Sequence, residues 1–297
     1  MKRSEFLKLS AAASLAAALP DFSLAAPLAQ RPLIKKSLKF GMIKEELSVM
    51  DKFKLVKDLG FDGVELDSPN DLNEAEILAA RDKTGLLIPG TVNSLHWKLP
   101  LSHPDPSVRA QTRESMKDAL RATKRYGGTT VLLVPGVVGK ETSYADAYRR
   151  SQEEIRQILP VAEETGVKIA IENVWNNFLI SPVEAARYID EFDNEMIGWY
   201  FDVGNIVRYG WPEHWIEALG SRIIKIDIKE YSRKKQVEEG IWEGFKVKLT
   251  EGDCDWKAVN QALAKVGYQG WGSAEVGGGD RKRLQQISEL MDKIYAS

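Results

Sequence analysis

"VKIAIEN", residues 167–173, is the stretch on which the fold turns. From Lys168 to Glu172 it climbs through apolar and β-branched positions with little alternation, as a strand buried on both faces does. The flanks agree with that reading. Upstream, Tyr144 to Thr165 has a helical pattern, with Ile155, Ile158 and Leu159 recurring on one face. Gly166 stands just past it, where a left-handed helix cap needs a residue without Cβ. Downstream, the run ends on a carboxylate, Glu172, followed by Asn173, Trp175 and Asn176.

The same helix-then-strand unit recurs in both directions. Strand-like runs are "LKFGMI" (38–43), "FDGVELD" (61–67), "LLIPGTVN" (86–93), "TTVLLVP" (129–135), "IGWYFDVGN" (197–205), "RIIKIDIK" (222–229) and "GWGSAEV" (270–276). Helical patterns separate them, including Ser48 to Leu59 and Pro106 to Tyr126, and Gly60, Gly85 and Gly127 follow helix ends. Strict alternation implies a parallel sheet, and eight units in one chain imply α/β architecture of the single (β/α)8 TIM barrel type, spanning residues 31–297. An open doubly wound sheet fits less well, because no glycine-rich phosphate turn follows the first strand.

Bulk properties narrow the function. A net charge of −2 gives no general attraction for phosphate polymers, which argues against a nucleic-acid partner. Cys254 is the single cysteine of the 297 residues, so neither an intrachain disulfide nor a thiolate metal cluster can form. Lys2 and Arg3 precede "FLKLSAAASLAAALP", and small residues follow up to Ala26. Residues 1–26 therefore read as a signal peptide, Sec-type or twin-arginine-like, with Ser4 where a second arginine would stand. That segment is too short and too rich in alanine for a stable membrane span, so the expectation is an exported, periplasmic protein with no stable membrane insertion once the signal is removed.

A barrel carries its site at the C-terminal ends of its strands. Glu65 and Asp67 end the second run and Asn93 the third. Glu172, Asp202, Asp227 and Glu275 end four consecutive runs, the fifth to the eighth, so their side chains should converge above the barrel mouth. Carboxylates brought together repel unless something positive lies between them. Oxygen-only ligation selects a hard dication, so Glu172, Asp202, Asp227 and Glu275 are expected to hold Mn2+ or Mg2+, with Zn2+ or Co2+ the weaker candidates. The competing arrangement is internal, with Lys225 or Lys229 neutralising the acids.

"IEN" at strand 5, "FDVGN" at strand 6, "KIDIKE" at strand 7 and "AEVGGGD" at strand 8 resemble the xylose isomerase-like TIM barrel superfamily, within it the sugar (phosphate) isomerases and epimerases of the ketose 3-epimerase type. The resemblance covers residues 38 to 295. It implies that Glu172 and Glu275 are both metal ligands and the acid/base pair, and that Asp202 is a ligand. Asn205 and Asp227 stand where that family usually has histidines. Arg233 falls where an arginine often contacts substrate oxygens, and Lys229 and Glu65 join the expected substrate contacts. The implied reaction removes a proton next to a ketose carbonyl and passes through an enediolate, as an isomerase or epimerase of carbohydrate metabolism would.

Loops fill in the rest. "NSLHWKLPL" places His96 and Trp97 after strand 3, to hydrogen-bond a sugar hydroxyl and stack on a sugar face. Trp175 is weighed alike. The segment Tyr231 to Asp255 is long for a strand-to-helix connection and reads as a lid; "VGGGDR" could admit a phosphate or merely turn the chain. Export favours a free, small-molecule sugar over a sugar phosphate. Two alternatives share the barrel: a metal-dependent lyase or hydrolase of keto-glycosides, and a non-catalytic sugar-binding barrel. A DNA-repair endonuclease, with its histidine-rich site, is disfavoured by a chain of three histidines. Barrels of this type often pair, which makes a homodimer compatible with the sequence without being encoded in any one feature.

Overall fold

The structure is a computed structural model describing residues 32–297; the expected signal peptide, residues 1–26, lies outside the described residues. Eight strands form one closed parallel barrel in chain order: β1 (Ile34–Lys39), β2 (Gly63–Ser68), β3 (Gly90–Asn93), β4 (Thr130–Leu133), β5 (Lys168–Glu172), β6 (Ile197–Asp202), β7 (Ile223–Ile228) and β8 (Gly270–Ala274), which pairs back with β1. The main hydrophobic core lies between the strands and the surrounding helices, built from side chains such as Phe53, Val64, Leu120, Ile169, Trp199 and Ile226. No helix among the described residues is long and apolar enough to cross a membrane.

The expected elements are present, with three instructive shifts. The first strand is Ile34–Lys39 rather than 38–43, and Phe40–Met42 is a 3-10 turn. "IKKSLK" is polar because this strand turns Ser37 and Lys39 into the barrel, where Ser37 meets Ser273 at 2.6 Å and Lys39 meets Glu65 at 2.6 Å. A search for apolar runs passes over such a strand. The helix expected from Tyr144 to Thr165 divides into Tyr144–Arg156 and Leu159–Thr165. Pro160, in the first turn of the second piece, has no N–H to continue the helical ladder. The third strand is shorter than expected and begins at Gly90, just after Pro89, which likewise has no donor for the sheet. Elsewhere the helix ends follow sequence signals: Ser48, Asn73, Asp105, Ser143 and Asp280 cap N-termini with their side chains, and Gly85, Gly127 and Gly166 close C-termini in the left-handed conformation.

Register sets the site. Between β6 and β7 the pairing steps from Trp199↔Ile223 to Tyr200↔Lys225, leaving Ile224 as an extra residue in β7. Such a bulge re-aims the side chains beyond it. Past this point Asp202 pairs with Asp227, and Asp227 with Ser273, so the acids of neighbouring strands stand level with one another.

Candidate active site

Glu172 is the last residue of β5, Asp202 the last of β6, Asp227 the penultimate of β7, and Glu275 follows β8 directly. One carboxylate oxygen from each lies within 4.8 Å of those of the other three. Convergence of the four acids is therefore a feature of the structure. Glu172, Asp202 and Asp227 are buried, while Glu275 keeps 37% of its side chain open to solvent.

Lysines surround the acids more closely than the sequence suggested. Lys229 Nζ lies 2.8 Å from Asp202 Oδ2 and 2.7 Å from Glu275 Oε2. Lys39 Nζ lies 2.6 Å from Glu65 Oε2 and 3.1 Å from Asp227 Oδ2, and Lys225 also pairs with Glu65. The Tyr200 hydroxyl sits 2.9 Å from Glu65 Oε2 and 2.8 Å from Asp227 Oδ1. With one proton to donate, it serves only one of the two at a time.

These pairings still leave the cluster short of positive charge. With all five carboxylates ionised, Glu65, Glu172, Asp202, Asp227 and Glu275 would stand against three ammonium groups, Lys39, Lys225 and Lys229, a formal deficit of two charges that protons or a dication must meet. The burden shows in the acids. Burial, reinforced by Glu275, Asp227 and Asp202, pushes the Glu172 carboxyl well above the usual carboxylate range. Burial, only partly offset by Lys39, raises Asp227 likewise, and burial against the pull of Lys229 brings Asp202 up to about 6. Against the cost of burial, Lys229 and Lys39 hold Glu275 down to about 2, and Lys225 and Lys39 hold Glu65 down to about 2. Asp202 Oδ2, Asp227 Oδ2 and Glu275 Oε2 are buried without an aligned hydrogen-bond donor, although an ammonium is near each. A deficit of two charges and several buried oxygens lacking an aligned donor fit a single hard dication.

Backbone and side-chain hydrogen bonds hold this arrangement. Asn173 brackets β5 to β6: its Oδ1 accepts from Asp202 N and Trp199 Nε1, both at 3.0 Å, and its Nδ2 donates to Asp202 O at 2.7 Å. Asp202 Oδ1 accepts from Asn205 N at 2.9 Å, capping the short helix Val203–Val207. Asn205 Nδ2 donates to Asn173 O at 2.9 Å, and its Oδ1 faces Lys229 Nζ at 3.4 Å.

Above the acids opens a cavity of about 460 Å³, with Glu172, Glu275, Lys229, Asn205 and His96 among its lining. Trp97, Trp175, Trp242 and Phe245 supply its aromatic rim. His96 Nδ1 accepts from Val134 N at 3.2 Å, and burial lowers its imidazole to about 4, so it is neutral with its proton on Nε2. Trp175 is fixed by its Nε1 on Asn205 O at 2.9 Å, with Trp242 at 5.0 Å and Phe245 at 4.7 Å.

Two expected substrate contacts lie elsewhere. Arg233 is turned away: its Nε donates to Val207 O at 2.9 Å and its Nη2 to Gly210 O at 2.6 Å, while the guanidinium stacks 5.1 Å over Trp211. Its position at the start of the helix Arg233–Glu239 aims it at the neighbouring loop rather than the cavity. Glu65 is fully buried within the barrel, held by Lys39, Lys225 and Tyr200, and is not part of the cavity lining. The glycine-rich turn after Glu275 packs on the first loop: Gly279 N donates to Met42 O at 3.0 Å, and a Cβ at Gly278 would strike the Met42 backbone. The long loop after β7 is tied at its base by Glu230, whose carboxylate accepts from Thr250 N, Cys254 N and Trp256 Nε1 at 2.8–3.0 Å.

Lys39, Tyr200, Asn173, Trp242 and Phe245 escaped the sequence reading as site residues. Lys39 was hidden by the misplaced first strand; with the correct window it becomes the register partner of Glu65.

Residues 53–296 match the family described as xylose isomerase-like TIM barrel. The chain is 24% identical over 254 residues to an L-ribulose-5-phosphate 3-epimerase of Escherichia coli O1:K1, covering 80% of this chain and 87% of the relative. Among solved structures, a D-tagatose 3-epimerase-like protein superposes with a TM-score of 0.74 at 22% identity, covering 89% of this chain and 97% of the other. The 3-keto-D-glucoside 4-epimerase of E. coli superposes with a TM-score of 0.73 at 17% identity, covering 89% and 100%. These structural likenesses are of fold.

Proposed function

We propose that this chain, which belongs to the xylose isomerase-like TIM barrel family, is a metal-dependent sugar epimerase that exchanges a proton on the carbon next to a ketose carbonyl. The observation that carries the reading is the four-carboxylate cluster of Glu172, Asp202, Asp227 and Glu275 within 4.8 Å, two charges short of neutrality, at the floor of a cavity of sugar size.

Glu172, Asp202, Asp227 and Glu275 would hold the dication, Mn2+ or Mg2+ by the hardness of the donors. Once bound, the ion supplies Lewis-acid polarisation of the carbonyl and hydroxyl oxygens of the sugar. The chain's own residues handle the protons. Glu172 and Glu275 end strands that are not adjacent, so they reach a sugar carbon from two sides, as removal on one face and return on the other require. Their environments push them apart, Glu275 toward the carboxylate and Glu172 toward the acid, the asymmetry a two-base exchange uses. Lys229 keeps Glu275 ionised and ties it to Asp202. His96, neutral, offers its Nε2–H to a hydroxyl or carbonyl oxygen.

Solvent-deuterium incorporation into ketoses by Mn2+-treated protein tests the proposal by NMR: label at the carbon next to the carbonyl of an intact sugar is expected, and absence of label in every ketose refutes it. A second reading, a sugar-binding barrel without turnover, draws on the lysines already bridging the acids; sugar binding without any exchange supports it. Export is a further part of the proposal, supported by the apolar N-terminal segment, and N-terminal sequencing of the mature protein near Ala26 tests it.

A further inference from the structure

We infer that Lys229 is an exchangeable counter-ion: its ammonium holds Asp202 and Glu275 together until the dication takes their oxygens, then turns into the cavity and donates to an oxygen of the sugar. The inference rests on the epimerase reading above and couples sugar binding to metal loading through one side chain. Of the three lysines at the acids, Lys229 is the loosely held one. Lys39 Nζ donates to Glu65 Oε2 at 2.6 Å and to the Tyr200 hydroxyl at 3.1 Å, and Lys225 Nζ donates to Glu65 from a side chain only 1% exposed. Lys229 Nζ has one hydrogen bond among the described residues, a long one to Asn205 Oδ1 at 3.4 Å. Its contacts with Asp202 Oδ2 at 2.8 Å and Glu275 Oε2 at 2.7 Å are ion pairs, and those same two oxygens lack an aligned hydrogen-bond donor. Charge alone holds the ammonium there, and a hard dication offers the same oxygens more of it.

The side chain is placed to pivot. Its base is pinned where the chain leaves β7: a Cβ at Gly204 would stand 2.8 Å from both the carbonyl carbon and Cγ of Lys229, so these atoms pack directly on the short helix Val203–Val207. Beyond Cγ, two methylenes carry the ammonium on rotatable bonds, without the rigid fork of an arginine. Lys229 is also the lysine that lines the cavity, and its Nζ stands 5.4 Å over the Phe245 ring. A cation released from the acids therefore has an aromatic face beside it and open volume ahead of it. Staying in place is unfavourable, because an ion bound to Asp202 Oδ2 and Glu275 Oε2 would stand beside the ammonium, and like charges side by side in a buried site repel strongly. Retreat into the barrel is closed as well, since Lys39 and Lys225 already occupy the space around Glu65 and Asp227. The cavity is the remaining direction, and there the ammonium meets the oxygens of a polyhydroxylated ligand.

The test uses the parent protein and one variant, Lys229→Met. Lysine acetylation of the parent, mapped by mass spectrometry in chelator and in saturating Mn2+ without sugar, should rise at least about threefold at Lys229 with the ion as the paired population empties, while Lys39 and Lys225 stay unchanged. Calorimetric titration should show Mn2+ binding at least about tenfold tighter to Lys229→Met than to the parent, since no ammonium opposes the ion. Once both are loaded with Mn2+, a ketohexose should bind the variant about 10- to 100-fold more weakly than the parent, the loss of one hydrogen bond from a charged donor. The labelling arm needs only the parent, so it decides the question even where Lys229→Met does not fold. Labelling of Lys229 that ignores the ion, Mn2+ affinity unchanged or weaker in the variant, or parent-like sugar affinity overturns the inference. In each of those outcomes the parent still binds Mn2+, and the epimerase reading stands. Absence of Mn2+ binding by the parent removes both.

Discussion

Replacing Lys39 with methionine probes the charge accounting of the site most severely. The lysine stem is kept in length, but the ammonium that lies 2.6 Å from Glu65 and 3.1 Å from Asp227 is gone. Asp227 loses the one ammonium within ion-pair distance of it among the described residues, Glu65 keeps Lys225, and the formal deficit of the cluster grows from two charges to three. Breaking a buried pair by removing one partner costs about 3–5 kcal/mol, because the other charge stays behind uncompensated. At about 2–4 °C per kcal/mol for a domain of this size class, the melting temperature in chelator should fall by roughly 6–20 °C. Mn2+ should close much of that gap, since a dication among the same oxygens returns positive charge and binds only the folded chain. The assay is thermal unfolding by circular dichroism of parent and variant, each in chelator and in saturating Mn2+. A variant melting within about 2 °C of the parent in chelator, or a deficit that Mn2+ leaves unchanged, refutes the idea that Lys39 and the ion share the burden of one acidic cluster.

Other perturbations separate catalysis from support. Glu172→Gln should lower the rate of solvent-deuterium exchange by about 10²–10⁴-fold, the range of a positioned acid/base group, measured under single-turnover conditions. His96 gives a pH signature: its imidazole is held near 4 when folded, below its ordinary 6.5, so the unfolded chain takes up the proton first. Its contribution is complete above pH 6.5 and is lost progressively down to 4, a loss of about 3 kcal/mol; His96→Asn should flatten that part of the difference in chemical-denaturation profiles between pH 7 and 4. Arg233→Ala should lower stability by about 1–3 kcal/mol through the freed carbonyls of Val207 and Gly210 while leaving KM within about threefold; a larger rise in KM would return Arg233 to the substrate.

How far the sequence reached, and where it stopped, follows from what hydrophobic patterning can register. Glu172, Asp202, Asp227 and Glu275 were legible because each terminates an apolar run, and the alternation of runs with helices fixes which end of the barrel they share. Lys39 was not, because the inward face of its strand is polar and looks like a loop or a solvent-facing strand; Tyr200 lies in a run that reads as a strand, but the reach of its hydroxyl to Glu65 and Asp227 depends on register across the barrel. Asn173 could be seen beside Glu172, but its role as a bracket to Asp202 depends on register across β5 and β6. Trp242 and Phe245 sit in a connection without periodicity, whose path is set by Glu230 gathering the amides of Thr250 and Cys254 some twenty residues away. Arg233 shows the converse. Its spacing from Asp227 suited a substrate contact, yet the cap of its helix turns it to the backbone of a neighbouring loop.

The most direct trial of the central claim is calorimetric titration of the chelator-treated protein with Mn2+, beside the Asp202→Asn and Asp227→Asn variants. Saturable binding of one ion per chain is expected, weakened at least about tenfold in either variant, the cost of one lost charged ligand of about 1.4 kcal/mol or more. Heats indistinguishable from dilution, or parent-like affinity in both variants, would mean that the lysines alone satisfy the carboxylates, and the proton chemistry proposed for them would lose its basis.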